Sequence, residues 1–162
     1  MMRQMHSLAM LAGVAALMAF GLSRGVFAQD ATPVPTSAIS NETLVVIDHT
    51  TNETVIDLGA EGDSIGDLLA FSNAVYDEGN ETEVGTNQGS CIRTVPGQAW
   101  ECLFTIILDE GQLTVAGPLY DAGPSELAIT GGTGAYSTAR GQMRLEATSE
   151  TESRFTFEIA EV

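Results

Sequence analysis

Arg154-Phe-Thr-Phe-Glu-Ile-Ala-Glu161 places a bulky apolar side chain at every second position, with polar residues between. Successive strand side chains point to opposite faces, so this spacing describes a strand with one buried and one solvated face. The segments upstream read the same way. Leu44 to Asp48, Glu83 to Thr94, Ala99 to Leu108, Gln112 to Leu119, Glu126 to Thr130, Gly141 to Thr148 and Ser153 to Ala160 are rich in β-branched and apolar residues. Turn-forming residues separate them: Asn52-Glu53, Asp77-Glu78-Gly79-Asn80, Pro96-Gly97, Asp109-Glu110-Gly111, Asp121-Ala122-Gly123-Pro124 and Gly131-Gly132-Thr133-Gly134. Regular short turns imply an antiparallel meander. Ser64 to Tyr76 is ambiguous, and its second half reads as an eighth strand.

A meander with no long helix must hide its edges, and closure removes them. Eight strands of about ten residues close into a barrel that has room for one small ligand. The expected fold is therefore all-β, an eight-stranded antiparallel β-barrel. A β-sandwich satisfies the same periodicity.

The chain has 162 residues, 44% hydrophobic, with 22 Asp+Glu against six Lys+Arg and a formal charge of −16. Every basic residue is Arg, which excludes Schiff-base chemistry on a lysine. Such acidity repels phosphate, so nucleic acid is not an expected partner, and neither is an anionic membrane surface.

Residues 1–28 have the pattern of a secretory signal peptide. Arg3 supplies the positive start, Leu8 to Leu22 the apolar run, and Val26-Phe27-Ala28 the small residues of a cleavage site. The run is short of the roughly 20 residues needed to span a bilayer, although a retained anchor is the rival reading. Cleavage leaves a secreted or extracytoplasmic protein with no stable membrane insertion. Residues 29–41, with Pro33 and Pro35, read as a flexible linker, and 42–162 as the barrel domain.

Export makes a disulfide available to Cys91 and Cys102. A hairpin with Pro96 and Gly97 at its tip sets the two opposite each other, at a separation a disulfide can span. Two buried thiols are the alternative, and a bulge at the tip would shift the register.

Gly66-Asp-Leu-Leu-Ala-Phe-Ser-Asn-Ala-Val-Tyr76, Val84-Gly-Thr-Asn-Gln-Gly-Ser-Cys91, Leu113-Thr-Val-Ala-Gly-Pro118 and Leu127-Ala-Ile-Thr-Gly-Gly-Thr-Gly-Ala-Tyr136 through Ala139-Arg-Gly141 together resemble the allene oxide cyclases. The last block also resembles the dirigent proteins. The resemblance covers roughly residues 42 to 160. It implies a barrel, usually a homotrimer, whose apolar lumen folds an unsaturated lipid epoxide or orients phenolic radicals without a cofactor. Carried over by position, Asn73 matches a second-strand Asn that holds a water on the epoxide oxygen. Asp48 is the nearest acid to replace a first-strand Glu that steadies positive charge. These two are the candidate catalytic residues. Phe71, Cys91 and Trp100 match lumen-wall positions, and Leu119 stands where the cyclases place a lumen tyrosine, with Tyr120 displaced to the opposite face.

Other motifs lack context. Gly131-Gly-Thr-Gly134 is not followed by Gly-Lys-Ser/Thr and reads as a turn requiring positive φ. Beyond the leader, His49 is the lone histidine, so no zinc set is expected and the metal ligands are none. Two functions fit: a cofactor-free isomerase, cyclase or stereochemical guide for a small hydrophobic fatty-acid-derived or phenolic molecule, and a non-catalytic exported binding or structural barrel.

Overall fold

The computed structural model describes residues 41–160. The leader at 1–28 and all but the last residue of the linker lie outside the described residues. Nine strands form: β1 Asn41–His49, β2 Glu53–Ile56, β3 Leu68–Tyr76, β4 Glu83–Val95, β5 Ala99–Leu108, β6 Gly111–Tyr120, β7 Ser125–Gly134, β8 Arg140–Ala147 and β9 Glu152–Ala160. From β3 to β9 each pairs antiparallel with its sequence neighbour, and β9 pairs with β1. Three further pairs, Ile47 with Tyr76, Asp48 with Val75 and His49 with Ala74, join β1 to β3 and close the sheet. The eight-stranded antiparallel barrel is thus the fold.

The ninth strand, β2, is an addition to the expected set. It pairs with β3 from Glu53 opposite Phe71 to Ile56 opposite Leu68, so β1 and β2 lie end to end along the same neighbour. Thr50–Asn52 is the break between them. All four β2 residues are exposed, which explains why no inside-outside alternation marked it.

Elsewhere alternation sets the core. Along β9, Phe155, Phe157 and Ile159 are buried. With Val46, Val75, Ile106, Leu113, Val115 and Met143 they belong to one apolar cluster in the lumen. Each such side chain, fully buried, contributes roughly 1.5–3 kcal/mol relative to exposure.

The β4–β5 hairpin keeps the expected register past a bulge between Arg93 and Val95, so Cys91 faces Cys102. The bulge lies on the tip side of the cysteines and leaves their opposition intact. The two form a disulfide with Cα atoms 4.0 Å apart. Cys91 is therefore half of a staple in the barrel wall and holds no free thiol.

Gly131-Gly-Thr-Gly134, expected as a turn, is the end of strand β7, and the turn follows it. Only Gly134 among these four has positive φ, at 60°. Gly132 is required for a different reason: a Cβ there would lie 2.3 Å from the Gln112 carbonyl oxygen and 2.5 Å from that of Tyr136.

Candidate functional site

Asp48 is the last inward-facing residue of β1. Its side chain enters the lumen among apolar neighbours, and the residue is only 5% exposed. Two amides hold its carboxyl: Asn73 Nδ2 donates to Oδ2 at 3.1 Å, and Asn87 Nδ2 donates to Oδ1 at 2.9 Å. No salt bridge reaches it among the described residues. Burial raises its pKa to about 6, the amide hydrogen bonds opposing that shift and the nearby Glu53 charge reinforcing it. A carboxyl poised there exchanges a proton near neutral pH.

Asn73 has a second task. Its Oδ1 accepts from the backbone N–H of Thr51 at 3.0 Å and of Asn52 at 3.3 Å. These are the groups freed where β1 breaks from β2, so the break and the carboxylate are positioned by one side chain.

A cavity of about 100 Å³ adjoins this cluster, walled by Phe71, Leu69, Phe104, Phe155, Leu119 and the disulfide at Cys91. Phe71 meets Phe104 edge-on with centroids 5.7 Å apart, and Phe104 is tilted against Phe155 at 5.9 Å. Gly89 makes room for that packing, since a Cβ there would lie 2.3 Å from the Cβ of Phe104. An outer chamber of about 320 Å³ shares Glu53, Leu69, Leu119, Leu145 and Ser153 with the inner one and is lined also by Trp100 and Tyr120.

The sequence-derived residues Asp48, Phe71, Asn73, Cys91 and Leu119 thus surround one chamber, whereas Trp100 lines the outer chamber and not the inner one. Its ring lies 4.1 Å from the Arg93 guanidinium carbon. Arg93 in turn bonds Asp63 at 2.5 Å and Asp121 at 2.7 Å, tying the 57–67 loop to the rim. Asp67 secures the same loop by accepting from the N–H groups of Ser64 and Leu58, which hold its carboxyl below the usual range.

Sequence reasoning missed Asn87, Phe104 and Phe155 as walls of the chamber. Asn87 carried a usable signal: it stands four residues before Cys91, so a regular strand puts both on one face.

A larger cleft, about 640 Å³, lies at the other end of the strands between the start of β1, the β3–β4 turn and Tyr136. Of its carboxylates, Glu42, Glu78, Glu83, Asp109 and Glu110 are solvent-exposed, and the half-buried Asp77 is held in its own turn by the Glu81 N–H. The lumen chamber is the stronger candidate because its polar groups are desolvated and converge.

A sequence model described as allene oxide cyclase matches residues 44–157, and the chain belongs to that family. Among solved structures it is similar to a pyocyanin demethylase at 24% identity and TM-score 0.66, over 73% of this chain and 99% of the other. It is similar also to a pterocarpan synthase dirigent protein at 16% identity and TM-score 0.60, over 83% of this chain and 96% of the other. A Diels Alderase from Streptomyces koyangensis shares 13% identity at TM-score 0.60, over 78% of this chain and 71% of the other. At these identities the likeness is one of fold.

Proposed function

We propose, starting from membership of the allene oxide cyclase family, that this barrel binds a small hydrophobic molecule in its lumen and promotes a cofactor-free cyclisation or isomerisation of it. The observation that carries this reading is Asp48: a carboxyl buried with no salt-bridge partner among the described residues, beside the aromatic wall of Phe71, Phe104 and Phe155. Such an arrangement costs stability, and a purely structural barrel has no need of it. In its charged form Asp48 stabilises positive charge developing on the ligand, more strongly than in water because the surroundings are apolar. Phe71 and Phe104 add aromatic faces to the same end. The two chambers constrain a flexible ligand toward its reactive shape.

Purification from the protein's own host, native mass spectrometry and identification of any lumen-held molecule test the reading. A fatty-acid-derived or phenolic compound that the wild-type protein converts and an Asp48→Asn variant does not would support it. Equal conversion by both would overturn the role of Asp48. The small inner volume favours a second reading, a barrel that binds without catalysis, and binding with no conversion would select it.

Export is part of the proposal, supported by the leader-like residues 1–28 and by a disulfide suited to an oxidising compartment. So is assembly into a homotrimer, supported by Ile92 and Leu103, large apolar residues exposed on the outer face of β4 and β5. A monomeric mass by light scattering would remove it.

A further inference from the structure

Asn87 is 2% exposed, yet only half of its amide is satisfied. Nδ2 donates to Asp48 Oδ1 at 2.9 Å, while Oδ1 is a buried acceptor with no partner among the described residues. Turning the amide over does not cure this, because it would set Oδ1 against an ionised carboxylate oxygen. Asn73, the other amide at the site, uses both of its ends. A buried acceptor left unpaired is costly, and native proteins rarely carry one without a reason.

Asn87 lines the inner chamber. Its volume, about 100 Å³, exceeds what one water requires and is below the roughly 150 Å³ cavity known to take benzene. It suits the functional end of a ligand, with the body in the outer chamber. Thr50 and Ser153 also line the chamber with hydroxyls, whereas Asn87 Oδ1 and the two oxygens of Asp48 are acceptors. Placed on Asn87 Oδ1, a group that can only accept, such as an ether or epoxide oxygen, sets lone pairs against lone pairs.

We propose that Asn87 is a specificity-determining residue of the lumen site: its Oδ1 accepts a hydrogen bond from a hydroxyl at the inner end of an otherwise apolar ligand. The preferred class is therefore hydroxyl-bearing apolar molecules. The inference rests on the lumen-binding reading above and narrows it.

Calorimetric titration of the wild-type protein with octan-1-ol and with its methyl ether, 1-methoxyoctane, tests it. The alcohol is expected to bind about tenfold tighter. The side-chain carbonyl resonance of Asn87 should shift with the alcohol and stay in place with the ether. Asn87→Leu should lower that ratio, Asp48 remaining as an acceptor nearby. If both probes bind the wild type equally, or the Asn87 carbonyl ignores the alcohol, a water serves that oxygen and the inference is overturned while lumen binding stands. If neither probe binds, the lumen reading fails and takes the inference with it. Because the wild-type ratio and the resonance need no variant, instability of Asn87→Leu leaves the test intact.

Discussion

Asp48 and Asn73 are joined by a hydrogen bond of 3.1 Å across the seam that closes the barrel. The bond links strand closure to the chemistry of the lumen, because the same Asn73 side chain caps the break after β1.

Asn73→Ala removes one donor from a buried carboxyl and the acceptor of two backbone N–H groups. The expected loss is about 2–4 kcal/mol in urea denaturation. A loss under about 0.5 kcal/mol would show that solvent replaces the amide. The cap at Thr51 and Asn52 is the reason the substitution weakens the fold as well as the site.

Asp48 has a pKa raised from 3.8 to about 6 on folding. Its charged form is thus disfavoured in the native state, and its contribution to stability is fully present below about 3.8 and lost as pH rises toward 6. Asp48→Asn should therefore melt higher than wild type at neutral pH, by an amount equivalent to at most about 3 kcal/mol. That advantage should shrink steadily as pH falls from 6 to 3.8. A melting difference independent of pH would contradict the assignment.

Turnover, if Asp48 acts as an anion, should rise with pH around an inflection near 6 and then level. The pH dependence of kcat/KM for the identified substrate checks it, and a profile that is flat between 5 and 8 excludes the role.

Reduction of Cys91–Cys102, or the double change to Ser, should lower stability by about 3 kcal/mol, the loop-closure value for a short loop. Thiol titration of the unreduced, denatured protein should find no free cysteine. Two titratable thiols would remove the staple.

Arg93→Ala should release the rim. Asp63 and Asp121 lose their shared cation, and the face of Trp100 loses its cover. Trp100 is the single tryptophan, so its emission should move to longer wavelength as water reaches it. Unchanged emission would mean that neighbouring groups still shield the ring.

The barrel was legible because its signals were local: alternation in Phe155, Phe157 and Ile159, and a Pro-Gly tip that set the Cys91 register. Where a signal was weak, the cause was physical. β2 has no buried face, so nothing in its pattern separates Glu53–Ile56 from a loop. Trp100 was assigned to the lumen wall by position, but the Arg93 stack that holds it at the rim depends on acids 30 residues upstream and 28 residues downstream of Arg93. Asn87 is readable from its spacing to Cys91 on the same face, but an amide in a strand does not by itself mark a chamber wall. The pairing of Asp48 with two amides is long-range and could not be read from any one segment.

Only three residue pairs hold β1 to β3, and Asp48 is one of the six residues involved. The clasp of the barrel and the reactive end of its interior are thus the same piece of chain. Such a design is inflexible under selection: a change that retunes the carboxylate also loosens the join. Laboratory evolution toward new ligands should accumulate its accepted changes around the outer chamber, at Leu119, Tyr120 and Leu145, and leave the clasp untouched.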